Sequence, residues 1–519
     1  MKRLRAVHVC VVAALFAVCA EPTLAQMRPG ARVEKTYGIG LPRDMDRLLI
    51  PDSEYPVFPL KPGQEAYADV DGYRIKDTIK KITAFSLQSL DAGELYWGRI
   101  PGTRFHQASL DFMASEYAKL GLTVRRQPVD MAPLWYPTKL TGSYSAGGKT
   151  GALQTLFPIN ETKATPSGGI TADAVWVGIG AAPDLAGRDL RGKAVLVYSV
   201  LVPGGRSHSA SDRAGLFNSD SLITKAGAAM IINVIGVPGN GQFNPEGAPE
   251  GPDAVPTLTI SQDEGFMLRD LLAAGQRVQL SVSLEIEERE GLKTENVYAT
   301  LPGISDEQLV IVTHTDGFFQ GAMDNASGMA TAIDIARHYA AMPREQRRRT
   351  LVFMALPDHH HGEAGRALAI KTYDWSKVAL ILNAEHTSQT LLYMYNQDLV
   401  TSNAISARRW YVSGSSALQQ MVKQTLQDFN VSVYRVPERS AGGSLGALTP
   451  LAPAFHIIDH VIYHTTLDVP ELVPAVGLAY SERAFLAIFD KANGMSMADL
   501  RGAKLPNPIQ YIFNLTSSI

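Results

Sequence analysis

The chain of 519 residues contains two cysteines, Cys10 and Cys19, both within its first 25 residues. There Lys2, Arg3 and Arg5 precede an apolar run from Val9 to Cys19, and Thr23-Leu24-Ala25 offers small residues ahead of Gln26. That order marks residues 1–25 as a secretory signal peptide, cleaved near Ala25. Bulky Val18 disfavours the competing reading of Cys19 as a lipoprotein site. After cleavage no cysteine is left, so no disulfide staples the chain even in a periplasmic or extracellular space. Beyond this segment no apolar run approaches the length of a membrane span, and none is expected in the mature chain. Positive charge is not in excess either: 48 Lys and Arg stand against 51 Asp and Glu, a formal charge of −3. The basic cluster from Arg344 to Arg349 joins a helical pattern to a strand pattern and reads as a solvated turn, so no nucleic-acid partner is expected. No repeat of solenoid period is found.

A composition of 45% hydrophobic and 19% charged residues is that of a globular chain with a sizeable core, and the length exceeds one typical domain. Residues 26–63 are rich in Pro, Gly and Asp without a sustained period, as in an extended N-terminal arm. Residues 64–150 carry helical stripes, Ile75, Ile79, Ile82 and Phe85, then Leu110, Met113, Ala114, Tyr117 and Leu120, which stop at Gly121. Residues 151–288 change rhythm to short β-rich runs separated by Gly and Pro, the composition of a small inserted domain. Residues 289–519 alternate strands and helices. Strands are predicted over Leu309–Val312, Thr350–Leu356, Val378–Asn383, Leu391–Tyr395, Val431–Val436 and Ala454–Ile458, with helices over residues 327–341, 362–372, 417–429 and 480–492. The fold class that follows is α/β, a mixed and mostly parallel sheet flanked by helices.

The stretch HTDGFFQGAMDNASG, residues 314–328, follows the first of these strands. It places His314 and Asp316 at the strand's end, and Asp324 and Asn325 ahead of a helix. Three later strand ends are similarly rich. One leads into PDHHHGEAG with His359, His360, His361 and Glu363, one into NAEH with Glu385 and His386, and one into DHVIYHTTLD with His460, Tyr463, His464 and Asp468. Each alone reads equally well as a solvated loop. Together they aim histidines and carboxylates at one sheet edge, and that donor set suits zinc, whereas an all-oxygen set would suit magnesium or calcium.

These phrases resemble metallopeptidase family 28, which includes zinc aminopeptidases, glutamate carboxypeptidases and glutaminyl cyclases. The resemblance covers about residues 70–129 and 294 to the end. It rests on His314-x-Asp316 followed by Asp324-Asn325-x-x-Gly328, and on Tyr463-His464-Thr465 followed by Asp468. The phrases LRGKAVLVYS, ITKAGAAMIINV and VPTLTISQDEGFMLRDLLAAG resemble the protease-associated domain inserted in many secreted peptidases. The resemblance implies a site of one or two zinc ions. His314, Asp324, His360, Glu385 and His464 would be ligands, Asp324 bridging; Asp316 would orient His314, and the Tyr463 hydroxyl would support an oxyanion. The family pattern has Glu-Glu-x-Gly-x-x-Gly after the second strand. With Gly362 and Gly365 fixing the register, those two carboxylates fall here on His359 and His360. Glu385 stands where Asp is usual, and a serine-aspartate-histidine phrase is replaced by residues 437–450. All five ligand positions still hold metal-competent residues.

The expected function is an exported metal-dependent hydrolase of an amide bond, aminopeptidase-like, acting on a peptide or small amide. Metal-bound hydroxide is the expected nucleophile and His359 the proton shuttle in place of the usual Glu, with Asp358 and Glu363 as other candidate bases. Two rival readings stand beside it: a non-catalytic receptor or scaffold on the same fold, and a single-zinc acyltransferase like the glutaminyl cyclases.

Overall fold

The structure, a computed structural model, describes residues 48–199, 219–244, 251–395, 398–434, 448–458 and 462–502. The expected signal peptide, the arm up to residue 47, His460 and most of the 437–450 loop lie outside the described residues.

One eight-stranded sheet carries the strand-end motifs. Its strands in chain order are β1 (Thr123–Asp130), β2 (Lys293–Leu301), β3 (Ser305–His314), β4 (Arg349–Leu356), β5 (Val378–Asn383), β6 (Arg408–Val412), β7 (Val433–Tyr434) and β8 (Ala454–Ile458). They lie in the order β7-β6-β8-β5-β3-β4-β2-β1. Parallel pairing joins β4, β3, β5 and β8, so the carboxyl ends of these four strands share one edge. Antiparallel strands flank them: β6 beside β8, and β2 beside β4 and β1. The architecture is therefore α/β, mixed and mostly parallel, as the sequence implies.

The strands are apolar on both sides because helices cover both faces. Leu309 and Ile311 of β3 face one layer and Val310 and Val312 the other. The first layer holds α1 (Gly72–Asp91), α2 (Arg104–Lys119), α3 (Gly328–Ala341), α5 (Ser416–Asp428) and α6 (Ala475–Asn493); α4 (Ala364–Thr372) packs on the second. The stripe Ile75, Ile79 and Ile82 on α1 is fully buried, as are Leu478, Phe485, Leu486 and Phe489 on α6. Each such side chain contributes roughly 1.5–3 kcal/mol relative to exposure.

In a second eight-stranded sheet the two longest strands, Leu134–Ala146 and Val278–Arg289, are neighbours and pair antiparallel along their length. It has its own core around Leu196, Ile232, Leu258 and Leu280.

Three strands differ from expectation. The run at Leu391–Tyr395 leaves the main sheet: Thr390–Tyr395 pairs with Asp398–Ile405 as a separate two-stranded ribbon. Its Tyr393, Met394 and Tyr395 are exposed, so its β-propensity reflects a hairpin rather than a buried strand. Of the described residues 431–434 in the next predicted run, Val433 and Tyr434 enter the sheet. Strand β6 carries no apolar run, since Arg408 and Arg409 open it, and its place in the sheet comes from antiparallel pairing with β8.

Candidate metal centre

The shared edge collects the strand-end residues. His314 is the last residue of β3, His359 and His360 follow β4, Glu385 follows β5 and His464 follows β8. All five ligand candidates are buried, His314, Asp324, Glu385 and His464 at 2% exposure or less and His360 at 6%.

Asp324 lies at the middle. Its Oδ1 is 3.1 Å from His314 Nε2, and its Oδ2 is 3.2 Å from His464 Nε2 and 3.5 Å from His360 Nε2. Glu385 joins the first side, with Oε1 3.6 Å from His314 Nε2. Thus each carboxylate oxygen of Asp324 serves a different half of the cluster. Two three-residue groups, His314 with Asp324 and Glu385, and Asp324 with His360 and His464, each bring ligand atoms within 4.8 Å of one another and could hold a metal ion. His314 Nε2 and Asp324 Oδ2 are buried and make no hydrogen bond, which is costly in a protein interior unless an ion satisfies them. With nitrogen and oxygen donors only, the cluster fits zinc.

Surrounding groups set the ligands' orientation. Asp316 Oδ1 lies 3.1 Å from His314 Nδ1, which turns Nε2 toward Asp324. The same carboxylate accepts from the main-chain N–H of His359 and of His360 and lies 3.1 Å from His361 Nδ1, so it ties the end of β3 to the triple-histidine turn. The turn carrying Asp324 is held by Asp468, which accepts from the N–H groups of Met323 and Asp324 at 2.6 and 3.0 Å. The Asn325 amide donates to Thr313 Oγ1 and to the carbonyls of His314 and Ala384, while its oxygen accepts from Gly328 N–H. A Cβ on Gly328 would lie 2.0 Å from the Ala384 carbonyl, so only glycine lets α3 start this close to the end of β5. His386, His464 and Glu363 all adopt positive φ, between 49° and 56°, a costly conformation for non-glycine residues that recurs at functional sites.

Charge follows the geometry. Burial alone would raise the carboxyls of Asp316, Asp324 and Glu385, but the facing histidines outweigh it and hold all three well below the usual carboxylate range. Burial would likewise lower His314; its three carboxylate partners reverse this and push it well above its ordinary value. His359 is shifted the other way, although Glu385 and Asp316 oppose the shift. Burial, together with His360 and His314, lowers it to about 3.

His359 Nδ1 lies 3.0 Å from Glu363 Oε1, and Glu363 is paired in turn with Arg366. These three, with Val312, His314, Leu356 and Asp358, line a cleft beside the cluster. The ligand atoms of His359, His314 and His360 fall within 4.8 Å of one another. The Asp358 carboxylate is already engaged, accepting from Gly365 N–H at the start of α4. Burial raises it to about 6. The Tyr463 ring stacks on His464 with centroids 3.5 Å apart.

Several residues at the centre carry no sequence signal. Arg99, fully buried, donates to the carbonyls of Thr315, Gln320 and Gly321 and so supports the loop between His314 and Asp324. Asn244, on a segment of the second sheet's domain, accepts from His464 Nδ1 through its main-chain carbonyl at 3.1 Å. His386 stood in a noted phrase without a role; its Nε2 is 3.0 Å from Asp324 Oδ1.

Residues 296–446 match the family model described as Peptidase family M28. That match takes in the phrases at His314, Asp324, His360 and Glu385 and spans 151 of the 519 residues. Solved structures of similar fold include a peptidase M28 precursor from Shewanella amazonensis SB2B, 19% identical, with 86% of this chain and 97% of that one covered at a TM-score of 0.65. A zinc aminopeptidase from Bacillus subtilis is 16% identical over 84% of this chain and 99% of its own, with a TM-score of 0.58. An aminopeptidase from Aneurinibacillus sp. strain AM-1 is 17% identical over 86% and 98%, with a TM-score of 0.53. At these identities the likeness is one of fold. No curated protein matches the chain in sequence. Among the described residues no helix is long and apolar enough to cross a membrane.

Proposed function

We propose that the protein is an exported, zinc-dependent, aminopeptidase-like amide hydrolase. The observation that carries this reading is the split of Asp324, one oxygen toward His314 and the other toward His360 and His464. His314 and Glu385 would hold one zinc, His360 and His464 a second, and Asp324 both. Bound zinc supplies the Lewis acidity that activates water and polarises an amide carbonyl.

The chain's own residues do the rest. Asp316 keeps His314 Nδ1 protonated so that Nε2 is free as a donor to metal. Glu363 does the same for His359, leaving its Nε2 to take the proton from the attacking water and return it to the leaving amine. Tyr463, stacked on His464, offers its hydroxyl to the developing oxyanion. The second sheet's domain is read as a protease-associated insertion, and residues 1–25 as the export signal.

The test is hydrolysis of aminoacyl and N-acyl amide panels before and after chelation, beside His314→Ala and His359→Ala. Turnover should vanish on chelation and in His314→Ala, and fall by about 10²–10⁴ in His359→Ala. Turnover that survives both chelation and the His314 change sinks the reading. Histidine in the place of the family's carboxylate base favours a second reading, a metal-holding but non-catalytic receptor; full metal content with no turnover on any amide would select it.

A further inference from the structure

Two buried donors lie along the sheet edge, beyond the metal cluster. Arg409 is the second residue of β6 and is 4% exposed, and its Nε and Nη2 make no hydrogen bond to any described residue. Elsewhere in the chain the same fork is filled: Arg74 Nε and Nη2 each donate to one oxygen of Asp334, both at 2.7 Å. That is the bidentate geometry a guanidinium offers to a carboxylate. His456, 1% exposed, is the second donor. Asn383 Nδ2 lies 2.5 Å from the Glu385 carboxylate, which can only accept, so that nitrogen is correctly the amide donor. The same nitrogen is 3.0 Å from His456 Nδ1, which must therefore accept. The neutral ring then carries its proton on Nε2, a buried N–H without a partner.

Strand register places these two donors together and on the face of the cleft. Arg409 is paired with Ile458 and Tyr411 with His456, so Arg409 and His456 are diagonal neighbours on one face, about 7 Å apart. His456 is paired with Asn383, and Asn383 with Val312, which lines the cleft. Two residues further along each strand, the next row of that face holds His314 on β3, Ile458 on β8 and Arg409 on β6. From β6 to β5, whose end carries Glu385, is two strand spacings, about 10 Å.

A buried guanidinium and a buried imidazole N–H, both unsatisfied and on one face, are costly unless an anion joins them. We propose that Arg409 and His456 form a subsite for a carboxylate of the substrate, lying about 10 Å along the sheet edge from the metal cluster. An extended peptide advances about 3.4 Å per residue, so a C-terminal carboxylate two or three residues past the cleaved amide reaches it. The inference rests on the amide-hydrolase reading and narrows it to short peptides with a free carboxyl terminus.

Zinc-loaded protein is titrated calorimetrically with Leu-Gly-Gly and with its C-terminal amide, and hydrolysis of both is followed. The free acid should bind at least tenfold more tightly, with the preference lost in Arg409→Met and reduced in His456→Phe while metal content stays at the wild-type level. Equal binding of acid and amide by the wild type overturns the subsite without any variant being needed, and if both are hydrolysed the amide-hydrolase reading stands. A preference that persists in folded Arg409→Met overturns it too. Acid-selective binding that depends on Arg409 with no hydrolysis of either peptide keeps the subsite and removes the hydrolase.

Discussion

His464 Nδ1 donates to the main-chain carbonyl of Asn244 across 3.1 Å, although 220 residues separate them in sequence. The contact is part of a short antiparallel bridge. Asn244 N–H returns a bond to the His464 carbonyl, Phe243 bridges to Thr465, and Gln242 and Thr466 exchange two more. A segment of the second sheet's domain thus fixes the tautomer and ring direction of a candidate ligand on the first.

Loss of that bridge is expected to loosen metal rather than unfold the protein. Asn244→Pro removes the N–H that bonds the His464 main-chain carbonyl and so displaces the Asn244 carbonyl that accepts from His464 Nδ1. Outer partners of ligating histidines are worth roughly 10–100-fold in metal affinity. Competition with a chelator of known affinity should show a loss of that order, and an unchanged affinity would separate the bridge from the metal site.

The pair of Glu363 and His359 distinguishes two bases. If Glu363 only orients His359, Glu363→Gln should lower kcat by about tenfold and leave KM within about twofold, as loss of a supporting hydrogen bond does. If Glu363 itself takes the proton, the same change should cost about 10²–10⁴ in kcat. Steady-state kinetics on one amide substrate separates the cases.

Gly328 bears on stability. Its missing Cβ would meet the Ala384 carbonyl at 2.0 Å and Asn325 Oδ1 at 2.4 Å, both in the scaffold that holds Asp324. Gly328→Ala is expected to lower unfolding stability by about 3 kcal/mol, as overpacking does. The check is a denaturant midpoint compared with wild type at matched metal content.

Asp220 supplies a pH dependence away from the metal centre. Burial raises its carboxyl from 3.8 to about 7, offset in part by Asn233. Between these values the folded chain keeps a proton that the unfolded chain releases, so stability falls as pH rises through the window and levels off above about 7. The difference corresponds to roughly 4 kcal/mol at most. Asp220→Asn should therefore be more stable than wild type above pH 7, with the advantage fading toward pH 4. Equal stabilities of the two proteins across that range would contradict this.

The α/β class was legible because its signals are local. Apolar runs at β3, β4, β5 and β8, the helical stripe Ile75, Ile79 and Ile82, and Gly121 at φ 82° past the end of α2 each depend on a few neighbouring residues. The ribbon at Thr390–Tyr395 was misjudged for the same reason, because β-propensity does not say which strand will pair with it.

By itself the sequence determined which donors stand at each strand end: His314 and Asp324, His359 and His360, Glu385, His464. It also set His359 and His360 after β4, where the resemblance to family 28 implies two carboxylates. Only the tertiary structure decided which atoms meet. Asp324 divides its oxygens between two halves of a cluster, His386 and Arg99 enter its surroundings, a carbonyl from another domain holds His464, and Arg409 falls in the row of His314. The reason is physical: side-chain type is written residue by residue, whereas these contacts are set by strand order and register across tens to hundreds of residues, which no local pattern encodes.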